Sequence, residues 1–257
     1  MTIARRPRLI PRQRGARSGA VATRRAGAPT PLSPASLLQL MRLASPSLPV
    51  GGFSYSEGLE AAVEHGIVGD EAATLAWLSD QLRHALVPSE LAVVALAAEA
   101  WQRGDLDAIA ELNDWQIVSR EARELRQQSE QMGRSLAQWL RHLDPPEPRL
   151  AALEALTPAP SWPVAFALAG VATGAPVRAI TLAFAAGWAE AMVQAALKAV
   201  PLGQSAGQRV LAGLGREIPA SVETALGIDL AALQAFTPML AILASRHEVQ
   251  YSRLFRS

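Results

Sequence analysis

Nowhere along the 257 residues do apolar and polar side chains alternate strictly for long enough to make a strand. The apolar residues recur instead at helical spacing, as with Leu75, Leu78 and Leu82, and no strand-helix alternation suggests a parallel sheet. Half the residues are hydrophobic but only 5% are aromatic. Alanine and leucine carry the apolar content, which favours helix. The expectation is an all-α protein: a single-domain bundle of about ten helices over 35–257, preceded by a disordered basic tail over 1–34.

That tail holds eight arginines, five prolines and no acid. Such a composition cannot bury a core. Of the 24 basic residues 16 remain for the body, against 23 acidic ones, so the body carries a net −7. Arg5-Arg6 and Arg24-Arg25 have the form of export signals, but no apolar segment follows either. A basic tail can bind nucleic acid. The reading adopted is a solvated extension, with no nucleic-acid partner.

Helix boundaries follow from caps and breakers. Ser33-Pro34 opens a helix that ends before Pro46. A second covers Ser56–Glu64, Asp70 caps a third, and Pro88 opens a fourth that runs to Arg103. A long charged helix fits Asp114–Leu143, with Glu130 and Arg134 one turn apart. Then come helices near 149–156, 163–173, 176–199, 205–214, 219–226 and 230–247. The apolar run Ile180–Val200 is broken by Glu190, Gln194 and Lys198. It reads as a buried helix, so no membrane is expected.

The usual carriers of chemistry are missing. There is no cysteine, which removes thiol nucleophiles, thiolate metal sites and disulfides, and suits a reducing cytoplasm. No phosphate-cradling loop is present. His65, His84, His142 and His247 include no pair three or four apart. Ser54 and Ser56 lie between glycines but lack the spacing of a nucleophile elbow. Catalytic residues, metal ligands and cofactors are therefore all expected to be none. One rival survives: Glu57, Glu60 and Glu64 fall on one helical face and could serve a stand-alone helical enzyme with a carboxylate site.

Three segments look made for protein contacts. Pro49, Gly51, Phe53, Tyr55, Glu57 and Glu60 mix glycine, aromatic and acid in and after a loop. Pro201, Gly203, Gln204 and Gln208 form a polar turn after a greasy helix. The terminus Tyr251, Arg253, Leu254, Phe255 and Arg256 carries interface residue types where most chains are small and polar. Arg120, in Ser119-Arg120-Glu121, joins this set.

The run Leu40–Glu60 with its Ser-Pro-Ser-Leu-Pro-Val-Gly-Gly-Phe-Ser-Tyr-Ser-Glu-Gly-Leu-Glu core resembles the N-terminal signature of the urease accessory protein family UreF. The resemblance continues through Ser119-Arg120-Glu121, Gln128-Ser129, Met132-Gly133, Pro163–Phe166, Ala169-Gly170, Pro201–Gln204, Gly207-Gln208 and Tyr251–Ser257, in order, over about 36–257. It implies an all-helical, cytoplasmic homodimer without a catalytic site of its own. It also implies partners: UreD (also called UreH), the GTPase UreG and urease apoprotein, in a complex that delivers nickel and regulates or positions UreG. The tail Tyr251–Ser257 is the part the resemblance assigns to UreD. Two positions depart from the family pattern: Ser161 precedes Trp162-Pro163 where members often have histidine, and Ala167 replaces a glycine. Lys198 also stands where many members carry arginine.

Overall fold

The computed structural model describes residues 32–143 and 145–257. The expected disordered tail lies outside the described residues, apart from Leu32–Pro34, which already lead into the first helix. Among the described residues the fold is all-α, with no strand.

Eleven α-helical segments follow one another: α1 Pro34–Ala44, α2 Leu59–Glu64, α3 Glu71–Asp80, α4 Ala92–Arg103, α5 Leu106–Val118, α6 Arg123–Leu140, α7 Leu150–Glu154, α8 Trp162–Ala172, α9 Val177–Ala199, α10 Gln204–Leu226 and α11 Pro238–His247. The capping chemistry explains several starts. Ser33 accepts from the Ser36 N–H at 3.0 Å and Pro34 follows it, while Asp70 accepts from Ala73 N–H at 2.8 Å and Asp105 from Ala108 N–H at 3.1 Å.

The core is built around α8. Pro163 to Gly170 are buried all round, so this stretch of the helix has no solvent face and sits between α4, α6 and α9. Trp101 of α4 is anchored to it through Nε1–H donating to Val164 O at 3.1 Å. Helix α9 is long and apolar enough to cross a bilayer, yet Ile180, Phe184, Trp188 and Met192 are buried against the protein. A smaller second cluster gathers Leu59, Val68, Val200, Leu243 and Phe255.

Four helix expectations are corrected. Pro88 opens no helix: α3 and α4 are joined by a π-helical stretch, Gln81–Leu91, with right-handed backbone on both sides. A π turn is wide enough to admit the proline ring, and the Pro88 carbonyl accepts from Gln234 N–H at 3.0 Å. The charged stretch 114–143 is two helices, α5 and α6, broken at Ser119–Ala122, where Ala122 turns extended. Conversely α10 runs unbroken through Pro219, whose ring and Gly215, four residues before it, both face solvent. Only Leu230–Ala232 and Pro238–His247 of the stretch 230–247 are helical.

Candidate protein-binding surface

The Pro/Gly loop after α1 enters a short 3-10 turn at Gly52–Ser54, after which Glu57 (φ +49°) and Gly58 (φ +80°) adopt left-handed backbone. Glycine suits that conformation, and at Gly58 a Cβ would also lie 2.9 Å from Leu240 Cδ1. Glu57 bears it with a side chain, which costs strain that its contacts must offset. Its carboxylate accepts from Gln128 Nε2 at 2.8 Å and Trp188 Nε1 at 2.9 Å, and its carbonyl accepts from Gln81 Nε2 at 2.9 Å. Helix α2 therefore starts at Leu59, three residues later than its expected start at Ser56.

This overturns the carboxylate face. Glu57 lies outside the helix and points at α6 and α9, Glu60 is buried, and Glu64 is exposed. The three do not converge on one site.

What converges instead is the C-terminus. Glu60 accepts the N–H groups of Leu254 (2.7 Å) and Phe255 (3.0 Å), and its Oε2 lies 3.1 Å from His247 Nε2. The other ring nitrogen of His247, which is fully buried, lies 2.6 Å from Glu124 Oε2, and Glu124 also takes Arg253 Nη1 at 2.5 Å. Arg256 N–H donates to Ser54 O at 2.8 Å, Ser56 N–H to Ser257 O at 2.7 Å, and Ser257 Oγ–H to Gln128 Oε1 at 2.8 Å. The tail thus lies along the Ser54–Glu60 segment as an extra strap. Phe255 fills the chain's own second cluster rather than standing free for a partner's pocket.

The 201–208 turn reaches the same place. Val200 belongs to the Phe255 cluster and Leu202 packs on it, while Pro201, Gly203, Gln204 and Gln208 remain exposed. Around the buried Phe255 stand exposed side chains: Pro49, Phe53 (65% exposed), Tyr251 (fully exposed), Leu254 (68%) and Arg256. Tyr55 is buried, with its hydroxyl on Gln131 Oε1 at 2.9 Å; burial pushes its phenol above the usual range, opposed by Arg256. Gly51 carries φ +80° at the loop's bend.

Arg120 is placed differently. It forms an ion pair with Glu90 of the π stretch and, with the Gln116 amide oxygen turned toward it, donates to that oxygen from Nε (3.0 Å) and Nη2 (2.8 Å). It buttresses the floor beneath Glu57 and is only partly exposed. Burial, with a further push from Glu57, raises the Glu90 carboxyl to about 7 against the pull of Arg120.

The residues that organise this surface include His247, Glu124 and Gln128, which the sequence did not single out as site residues. Their roles depend on partners more than a hundred residues away, and no periodicity marks such a pairing.

A model of the UreF family matches residues 68–215. The urease accessory protein UreF of Methylibium petroleiphilum is 61% identical over 235 residues, covering 91% of this chain and 98% of that protein. The chain belongs to the UreF family. The UreF protein of Paracidovorax citrulli is 55% identical over 256 residues (97% of this chain, all of that protein), and that of a Polaromonas species 57% over 227 residues (88% and 97%). These UreF relatives are named as accessory proteins and not as enzymes. The family match begins at Val68, so it rests on the helical scaffold and the 201–208 turn rather than on the Ser45–Glu60 loop or the tail. Among the described residues, no group of three or more His, Asp or Glu side chains is placed to hold a metal ion.

Proposed function

We propose that this UreF protein serves urease maturation by contact: it binds UreD (UreH), the pair recruits the GTPase UreG, and the complex hands nickel to urease apoprotein. Nickel is cargo of the complex in this reading. The chain works as a homodimer in the cytoplasm.

The observation that carries the reading is the junction of three segments on one small cluster. The Ser45–Glu60 loop, the 200–208 turn and the C-terminal strap meet around Phe255, and they leave Phe53, Tyr251 and Leu254 uncovered. Exposed aromatic and aliphatic side chains on a hydrogen-bonded, preorganised frame are what a tight protein interface needs.

The test is co-expression of urease subunits with the accessory proteins, with and without this chain, followed by nickel content, urease activity and affinity capture of UreD and UreG. Urease that loads nickel equally well without the chain overturns the proposal. GTP hydrolysis by UreG, measured with and without the assembled complex, separates an activator from a partner that only positions UreG.

A further inference from the structure

Beside the Ser45–Phe53 loop opens a cavity of about 300 Å³. Trp162, Phe184, Trp188 and Met192 stand in its walls, and Glu57 and Glu90 lie on its floor. Arg120 does not line it. That guanidinium pairs directly with Glu90 and lines a separate void of about 20 Å³ that Glu57, Glu90 and Trp188 also border. Lys198 is at the rim, with its ammonium 5.6 Å over the Phe255 ring.

We propose that this cavity receives an arginine side chain from a partner polypeptide, with the guanidinium against Glu57 and Glu90 and stacked among the aromatic walls. The inference rests on the protein-binding function proposed above and adds a specific chemistry to it.

Three features argue for that guest. The first is charge. Glu57 and Glu90 both line the cavity, and Arg120 pairs with Glu90. Glu57 is held only by the neutral donors Gln128 and Trp188, and the ammonium of Lys198 lies over the Phe255 ring. The Glu57 carboxylate therefore has no paired cation, which is costly away from water. The Glu90 carboxyl is raised chiefly by burial, and the nearby Glu57 charge adds to the rise. The second is wall chemistry. Aromatic faces attract cations, and a planar, weakly hydrated guanidinium gives up water more readily than an ammonium. The third is preorganisation. Gln128 and Trp188 each hold one oxygen of the Glu57 carboxylate, leaving the second acceptor site on each oxygen for a forked donor. The volume is at the small end of ligand pockets, suited to one side chain rather than a whole cofactor.

The experiment titrates the full-length protein with N-acetyl-arginine amide and, separately, with N-acetyl-citrulline amide, which has the same shape without the charge. Fluorescence of the wall tryptophans reports binding at pH 6 and pH 8. Saturable arginine binding, about tenfold tighter than citrulline, is expected. It should strengthen at pH 8, where Glu90 is ionised. Glu57→Gln should weaken it about tenfold, whereas Glu64→Gln, outside the cavity, should not. Equal binding of citrulline, or no saturable arginine binding by the unaltered protein, overturns the inference. Capture of UreD and UreG is measured on the same preparation. Capture without arginine binding removes the cavity proposal and leaves the function; arginine binding without capture does the reverse.

Discussion

Glu60 shows how much can hang on one side chain. Its two oxygens serve the Leu254 and Phe255 N–H groups and face His247 Nε2, the last two at buried positions. Glu60→Ala would leave those donors without an acceptor, at about 1–3 kcal/mol each. The chain has a cheaper response, because the strap can detach locally without unfolding the bundle. Amide exchange at Leu254 and Phe255 should therefore become fast in Glu60→Ala while α8 stays protected, and unchanged exchange at the tail would show that Glu60 does not hold it. Glu90 makes a pH prediction. Its carboxyl is raised from 4.5 to about 7, chiefly by burial. Between those values the folded chain binds a proton that the unfolded chain has released, so its contribution to stability falls as pH rises through that window and levels off above it. Urea midpoints at pH 5 and pH 8 should differ in that direction, and Glu90→Gln should flatten the slope. At this scale the sequence was legible in part. Glu57 and Glu60 were read as partner-facing acids or, with Glu64, as one carboxylate face; that face depended on a helix starting at Ser56, and the left-handed backbone at Glu57 and Gly58 prevents it.

Among the elements, existence was far easier to read than limits. The caps at Ser33 and Asp70 and the apolar runs of α8 and α9 carry their signal locally, so those helices could be read directly. Pro88 and Pro219 misled because a proline's effect depends on the turn around it. At Pro88 a π stretch makes room, and at Pro219 the disrupted turn faces water. The Met132-Gly133 motif acquires a physical meaning only in the packed structure. A Cβ at Gly133 would lie 2.0 Å from Pro160 O, so α6 can approach the start of α8 only without a side chain there. Gly133→Ala should then cost about 3 kcal/mol by forcing the helices apart. Gly215 is the contrast. It is exposed in α10 with nothing within 4 Å of a Cβ, and alanine there should gain up to about 1 kcal/mol from helix propensity. Urea denaturation of the two variants checks both signs; a tolerated Gly133→Ala would mean the α6–α8 contact is looser than the geometry says.

Across the whole molecule the three partner segments were visible one by one, yet their meeting was not. Ser56 and Ser257 are 201 positions apart, and nothing local to either tells that they bond. The join creates a second cluster distinct from the main core, which makes the last residues separable from the bundle. Deleting 251–257 removes Phe255 and uncovers Leu59 and Val200, but leaves the α4–α6–α8–α9 core untouched. The truncated chain should keep its helical circular dichroism and a cooperative melt at a lower temperature, and should fail to capture UreD. Two point variants separate the causes. Phe255 is buried, so Phe255→Ala should cost about 3 kcal/mol or the strap's docking, and partner capture should fall as a consequence of the loosened frame. Tyr251 is fully exposed and bonded to nothing in the cluster, so Tyr251→Ala should leave the melting temperature unchanged. If it is an interface anchor, its loss should still weaken capture by about 2 kcal/mol, some thirtyfold in affinity. Weakened capture at constant stability can come only from a lost contact with the partner, whereas unchanged capture by Tyr251→Ala would assign the tail a purely internal role, as the strap that holds the Ser45–Glu60 loop in shape.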